Sequence, residues 1–144
     1  MQKLPKRISE DIDLISEEGN ALFDQEKYDE AINKWKKALN LLPPPINQWE
    51  AAMWLNASIG DAYYQMKAYD KAREAFLDAL NFPGEINPFI YYRLGQIEYK
   101  KNNIDESLDY LTRAYMLDGE DIFKLDDREG GDYSDILKRH GVIN

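Results

Sequence analysis

The chain has 144 residues, of which 44% are hydrophobic and 31% charged, with a formal net charge of −9 and no cysteine. That length suits one domain, the lack of cysteine rules out disulfides and thiolate metal sites, and no apolar run approaches the ~20 residues of a membrane span. The acidity sits late: residues 105–135 hold 11 Asp/Glu against three Lys/Arg, while residues 1–104 hold 16 against 13. Nucleic acid and anionic membranes require a basic face and are disfavoured as partners. A basic protein partner is favoured, with fastest encounter at low salt.

The N-terminus, MQKLPKRISEDIDL, carries early positive charge but no apolar core, so it does not read as a secretory signal. A soluble, cytoplasmic protein is expected. Ser9 is the expected cap of the first helix. That helix contains Gly19, with Leu22 one turn on, and the next contains Tyr28, Ala31, Trp35 and Ala38 at helical spacing on one apolar face. The run Leu42-Pro43-Pro44-Pro45 cannot continue a helix and ends this unit.

The same spacings recur twice, counted from Gly60 and again from Gly95. The proline run accounts for the wider interval between Gly19 and Gly60. Counting from each glycine, position +9 is Tyr28, Tyr69 and Ile104, position +12 is Ala31, Ala72 and Ser107, and position +16 is Trp35, Phe76 and Leu111. A glycine inside a helix lets a neighbouring helix approach, and the large residue at +16 fills the space around that contact. Each unit therefore reads as two antiparallel helices locked by small-into-large packing. Asn87-Pro88 places a capping Asn before a first-turn Pro, and Asn103 with Glu106 has the spacing of a capping box.

After Gly119 the pattern changes. Residues 120–125 suit a short helix. Asp126 to Asp132 reads as an acidic loop with Gly130-Gly131, and Asp132 is the expected cap of a last helix through Tyr133, Ile136 and Leu137, ended by His140-Gly141. Ile122, Phe123, Ile136 and Leu137 are expected to cover the third unit. The acidic run fails as a calcium loop, since its third and fifth positions are Arg128 and Gly130. His140 is the lone histidine and sits at a helix end, where a cation complements the dipole. No phosphate loop is present. The chain is expected to be no enzyme and to hold no cofactor or metal.

These residues resemble the tetratricopeptide repeat family over about residues 12–118. The pattern G-x-x-Y … Y-x-x-A-x-x-x-F-x-x-A … P is nearly complete in the first two units, and the third has Glu98, Ile104 and Ser107 at the usual Tyr, Tyr and Ala positions. The resemblance implies an all-α fold: three helix-turn-helix repeats, at about 9–43, 46–84 and 87–118, in a short right-handed solenoid. Residues 119–144 then form an acidic capping segment within a single domain spanning 1–144.

In this family the first helices of the repeats line a partner-binding groove. Carried over, its positions are Asp13, Ser16, Asn20, Phe23 and Asp24 in the first repeat and Trp54, Ala57, Asp61, Tyr64 and Gln65 in the second. The third repeat supplies Phe89, Tyr92, Gln96, Tyr99 and Lys100, with Arg93 beside them. The family's co-chaperones hold a carboxylate with Lys and Asn, then Asn, then Lys and Arg. Here Ser16, Asn20, Ser58, Phe89 and Arg93 stand at those places, so only Asn20 and Arg93 match and both lysines are missing. The closing segment, residues 114–123 with the acidic loop and Tyr133, is also similar to small bacterial repeat proteins associated with polymorphic toxins.

Together these readings imply a non-catalytic protein-binding module. Its most specific form is a small, free-standing acidic immunity-type inhibitor of a basic toxin or effector. The alternative is a general adaptor, secretion chaperone or co-chaperone that holds a peptide in the groove. A monomer or a weak homodimer is expected.

Overall fold

The computed structural model describes residues 3–125 and 130–144. The acidic run Asp126 to Glu129, with the rejected calcium loop that starts there, lies outside the described residues. Those residues contain helices and turns and no strand, and no helix among them is long and apolar enough to cross a membrane. They gather in two compact units, Met1–Glu85 and Ile86–Asn144.

The first unit holds two helix pairs: α1 (Lys6–Asp24) with α2 (Tyr28–Asn40), and α3 (Glu50–Gln65) with α4 (Tyr69–Ala79). Helix α1 starts at Lys6 after Pro5, ahead of the expected cap. Ser9 N–H donates to Pro5 O at 3.0 Å, so Ser9 already belongs to the first turn and caps nothing. Ile12, Ala31, Ile32, Trp35 and Leu55 form the core. The triple proline works as expected: α2 stops at Asn40, and the Trp49 indole N–H donates to Pro43 O at 2.7 Å, fastening the connection to α3.

Three short turns share one geometry. Glu26, Lys67 and Asn102 have φ of 61°, 61° and 65°. At each, the next N–H reaches back over the turn: Lys27 to Leu22 O, Ala68 to Tyr63 O and Asn103 to Glu98 O, at 2.9, 2.9 and 2.8 Å. The left-handed residue also donates to a carbonyl of the last helical turn, as Glu26 does to Phe23 O at 2.9 Å. This paired bonding satisfies the last carbonyls of one helix and turns the chain into the next. The recurrence of one turn explains why the spacing from each glycine to its large partner at +16 is the same in all three units.

The second unit holds α5 (Pro88–Lys100), α6 (Ile104–Asp118), a 3-10 turn (Gly119–Leu125) and α7 (Gly130–Arg139). The Asn87 side chain accepts from Phe89 N–H at 2.8 Å, as expected of a cap before Pro88. Asn103 makes no such bond. Its backbone is already committed to closing α5 through Glu98 O, so the capping-box spacing goes unused. Helix α7 begins at Gly130, and Asp132 lies inside its first turn instead of preceding it. The expected covering residues do pack: Ile122, Phe123, Ile136 and Leu137 are buried with Leu111 and Ala114.

Candidate interaction surface

The α1 and α3 helices of the first unit shape a groove. One stretch of about 500 Å³ is lined by Asp13, Ser16, Asn20, Glu50, Trp54 and Ser58 over a floor that includes Ile12 and Trp35. A second stretch of about 190 Å³ is lined by Phe23, Asp24 and Asp61, and it shares Asn20, Trp35 and Ser58 with the first. The shared lining makes the groove continuous. Its helical logic is simple. Asp13 and Asp24 stand at the two ends of one stretch of α1, and Glu50 and Asp61 stand at the same separation on α3. That separation is close to three full turns, so each pair shares a face, about 16 Å from end to end.

The groove carries four carboxylates and no lysine or arginine. Burial, and after it the Glu26 and Asp61 carboxylates, push the Tyr28 phenol up from 10.0. Trp54 is 46% exposed, and its indole N–H donates to Glu50 Oε1 at 3.3 Å, one helical turn back. That bond holds an apolar ring face beside a carboxylate. Below, Trp35 is buried, with its N–H directed to Ser16 O at 3.4 Å, and Phe23 meets it with ring centroids 6.0 Å apart.

Asn20, Phe23, Asp24, Trp54 and Asp61 thus gather on one accessible face with Asp13 and Ser16. Two expected neighbours do not join them. Ala57 and Tyr64 are buried, because α3 packs on several sides at once. Gln65 stays exposed, donating to Asp61 Oδ1 at 3.2 Å. Glu50 and Ser58 complete the lining. Glu50 is absent from the groove positions that the family resemblance supplies, although its place one turn before an unusual tryptophan is a visible signal.

The second unit treats its positions differently. Tyr92 is fully buried, its ring meeting Phe123 and Tyr133 edge-on at 6.1 and 6.0 Å. Gln96 is fully buried and Arg93 nearly so. The Arg93 guanidinium donates to Gln96 Oε1 at 2.8 Å and lies 5.0 Å from the Phe89 ring centroid. Tyr92, Arg93 and Gln96 therefore do not present an open binding surface. Phe89 is half-buried. Tyr99 and Lys100 line a separate cavity of about 780 Å³ with Tyr133, Ile136, Lys138 and Arg139. Among the described residues, no group of three His, Asp or Glu side chains is placed to hold a metal.

Sequence models of one family match the chain three times. A model described as TPR repeat covers residues 19–43, and one described as Tetratricopeptide repeat covers residues 55–82 and 90–121. Together the matches exceed half of the chain. A curated relative, the chloroplastic PsbB mRNA maturation factor Mbb1 of Chlamydomonas reinhardtii, is 30% identical over 61 residues, which are 42% of this chain and 9% of that protein. The Arabidopsis OM64 TPR domain superposes with a TM-score of 0.72 at 16% identity, covering 92% of this chain and 98% of that one. The first TPR of Spaghetti (RPAP3), bound to the HSP90 peptide SRMEEVD, gives 0.68 at 20% identity, covering 92% and 95%. YrrB, a TPR protein with an unusual peptide-binding site, gives 0.66 at 24% identity, covering 88% of this chain and 59% of that chain. At these identities the likeness to solved structures shows a shared fold.

Proposed function

This chain belongs to the tetratricopeptide repeat family, and we propose that it is a non-catalytic protein-binding module that takes a basic partner on the α1–α3 face of its first unit. The observation that carries the reading is the lining of the groove. Four carboxylates and the accessible face of Trp54 line it, and no Lys or Arg is among the lining residues. A partner bringing Lys or Arg gains from that field, whereas an acidic one is repelled. An exposed tryptophan is also the type of side chain that dominates interface energy.

The more specific form is an inhibitor of immunity type, in which an acidic chain covers a basic cleft on a toxin or effector. The net charge of −9 supports it. The adaptor alternative uses the same groove with several clients. A co-chaperone role toward acidic C-terminal peptides fits poorly: Ser16 and Ser58 replace two of the clamp residues, and the field around them has the wrong sign.

Affinity purification of the tagged chain from its native cells, at low and moderate salt, tests this. The expected result is one dominant basic partner that survives moderate salt and is lost with Trp54→Ala or with Asp24→Asn combined with Asp61→Asn. Inhibition of that partner's activity by the wild-type chain would then support the inhibitor form. Several weak clients, each lost with Trp54→Ala, would leave the adaptor. Undiminished capture by the Trp54→Ala chain sinks the groove as the contact surface.

A further inference from the structure

We infer that Trp54, backed by Glu50 and Asp13, forms an arginine-selective subsite in the α1–α3 groove, so that the partner is anchored there by a guanidinium. The inference rests on the groove reading above and deepens it by naming the side chain.

The Trp54 indole carries the argument. Trp35 and Trp49 are 2% and 8% exposed, and each turns its N–H to a backbone carbonyl, that of Ser16 and that of Pro43. Those two rings serve the core. Trp54 is 46% exposed, although Met53 and Leu55 on either side of it are buried. It lines the cavity of about 500 Å³. Its N–H goes to Glu50 Oε1 at 3.3 Å. A bond at the edge of the ring restrains it without covering its face.

The surroundings narrow what fits on that face. An aliphatic side chain would suit the ring, but it would strip water from Glu50 and Asp13 and return no hydrogen bond. An ammonium would pair with the carboxylates, but it is a compact, strongly hydrated charge. A guanidinium is planar and more weakly hydrated. It stacks on an aromatic face and still directs N–H groups outward in its own plane. The indole bond uses one Glu50 oxygen, and a carboxylate has two, so a stacked guanidinium can donate to the other. Asp13 lines the same cavity from α1, while Trp54 and Glu50 line it from α3. Buried Ile12 and Leu55 also line it, and their apolar surface suits the methylene stem of an arginine.

The test is an NMR titration of the full chain with short peptides, acetylated and amidated, of Ser and Gly around one central arginine, lysine, citrulline or glutamate. Citrulline keeps the planar shape of arginine and lacks its charge. The Trp54 indole N–H signal, identified by its loss in Trp54→Phe, and the backbone signals of Asn20 and Ser58 report the groove. At low salt the arginine peptide should bind about two- to fivefold more tightly than the lysine peptide, and both should bind more tightly than citrulline or glutamate. Trp54→Leu, with unchanged circular dichroism, should bind arginine and lysine alike and still favour both over citrulline. Glu50→Gln should weaken arginine and lysine and leave citrulline unchanged. Binding of lysine as tight as that of arginine, or an arginine preference that survives Trp54→Leu, overturns the subsite and leaves the groove reading standing. Groove signals that move with neither cationic peptide, or that move as readily with citrulline or glutamate, overturn both.

Discussion

A Cβ built on Gly19 would lie 2.5 Å from Nε1 of Trp35, so the glycine leaves the space that the indole edge fills. The relation repeats at Gly60 with Phe76, at 2.9 Å, and at Gly95 with Leu111, at 2.7 Å. Each glycine sits in the first helix of a pair and each large residue in the second. Alanine at any of these sites gains about 1 kcal/mol of helix propensity but overpacks the pair. We expect each Gly→Ala change to destabilise the chain by a net of about 1–3 kcal/mol in urea unfolding. Gly95→Ala should cost most, since the Leu111 backbone nitrogen is also only 3.2 Å from the new atom. Gly60→Ala combined with Phe76→Leu should lose less than the two single changes summed, because they share one contact.

The left-handed turns offer the opposite change. Glu26 and Lys67 hold φ of 61° with an ordinary side chain, a conformation that costs about 1–2 kcal/mol for a residue with a Cβ. Replacement by glycine removes that strain and gives back part of it as unfolded-state entropy. Glu26→Gly and Lys67→Gly should each raise stability by up to about 1 kcal/mol, read as a higher urea midpoint with an unchanged slope. Asn102 tolerates the same region, so Asn102→Gly should give less. No gain at Glu26 and Lys67 would mean that these turns carry no strain.

Leu137 is fully buried in the second unit with Ile122, Tyr133 and Leu111. Leu137→Ala removes packing from the whole closing segment and should cost about 2–5 kcal/mol. Exposed Lys138, its neighbour in α7, should change stability by less than about 0.5 kcal/mol when replaced by Ala. Thermal unfolding of the two variants side by side checks the contrast. Near-equal midpoints would show that α7 does not stabilise the fold.

Burial, then the neighbouring Glu74 carboxylate, push the Asp78 carboxyl above its ordinary 3.8. Asp78 also lies in the last turn of α4, where a negative charge opposes the helix dipole. The folded chain holds this proton to a higher pH than the unfolded chain. Ionised Asp78 therefore costs stability above its folded pKa and costs nothing below 3.8. Asp78→Asn should raise the melting temperature at pH 7, and the gain should shrink towards zero as the pH falls to about 3.8. A gain that is constant from acid to neutral pH would place its cause elsewhere.

The repeats were legible because their packing is local and periodic. Gly19, Gly60 and Gly95, each with its large partner at +16, mark which face of each helix meets its neighbour, and a turn of fixed geometry preserves the spacing. Asn87-Pro88 was equally readable, since a cap needs only the residues that directly follow it. Asn103 departs from expectation because its backbone closes α5 through Glu98 O, and Asp132 because α7 already begins at Gly130. Within the groove, Asn20, Phe23, Asp24, Trp54 and Asp61 stand at positions that the family resemblance supplies by register, and they share a face because all project from two regular helices of one unit. Tyr92, Arg93 and Gln96 occupy positions of the same kind on α5, and nothing within α5 distinguishes them. Tyr92 is withdrawn by Phe123 and Tyr133, which come from beyond α6, far later in the chain. Sequence periodicity thus determined the helices, their pairing and their inner faces, because those depend on neighbours within one repeat. Tertiary structure decided which outer faces remain open to a partner, because exposure depends on whatever distant segment comes to lie on them.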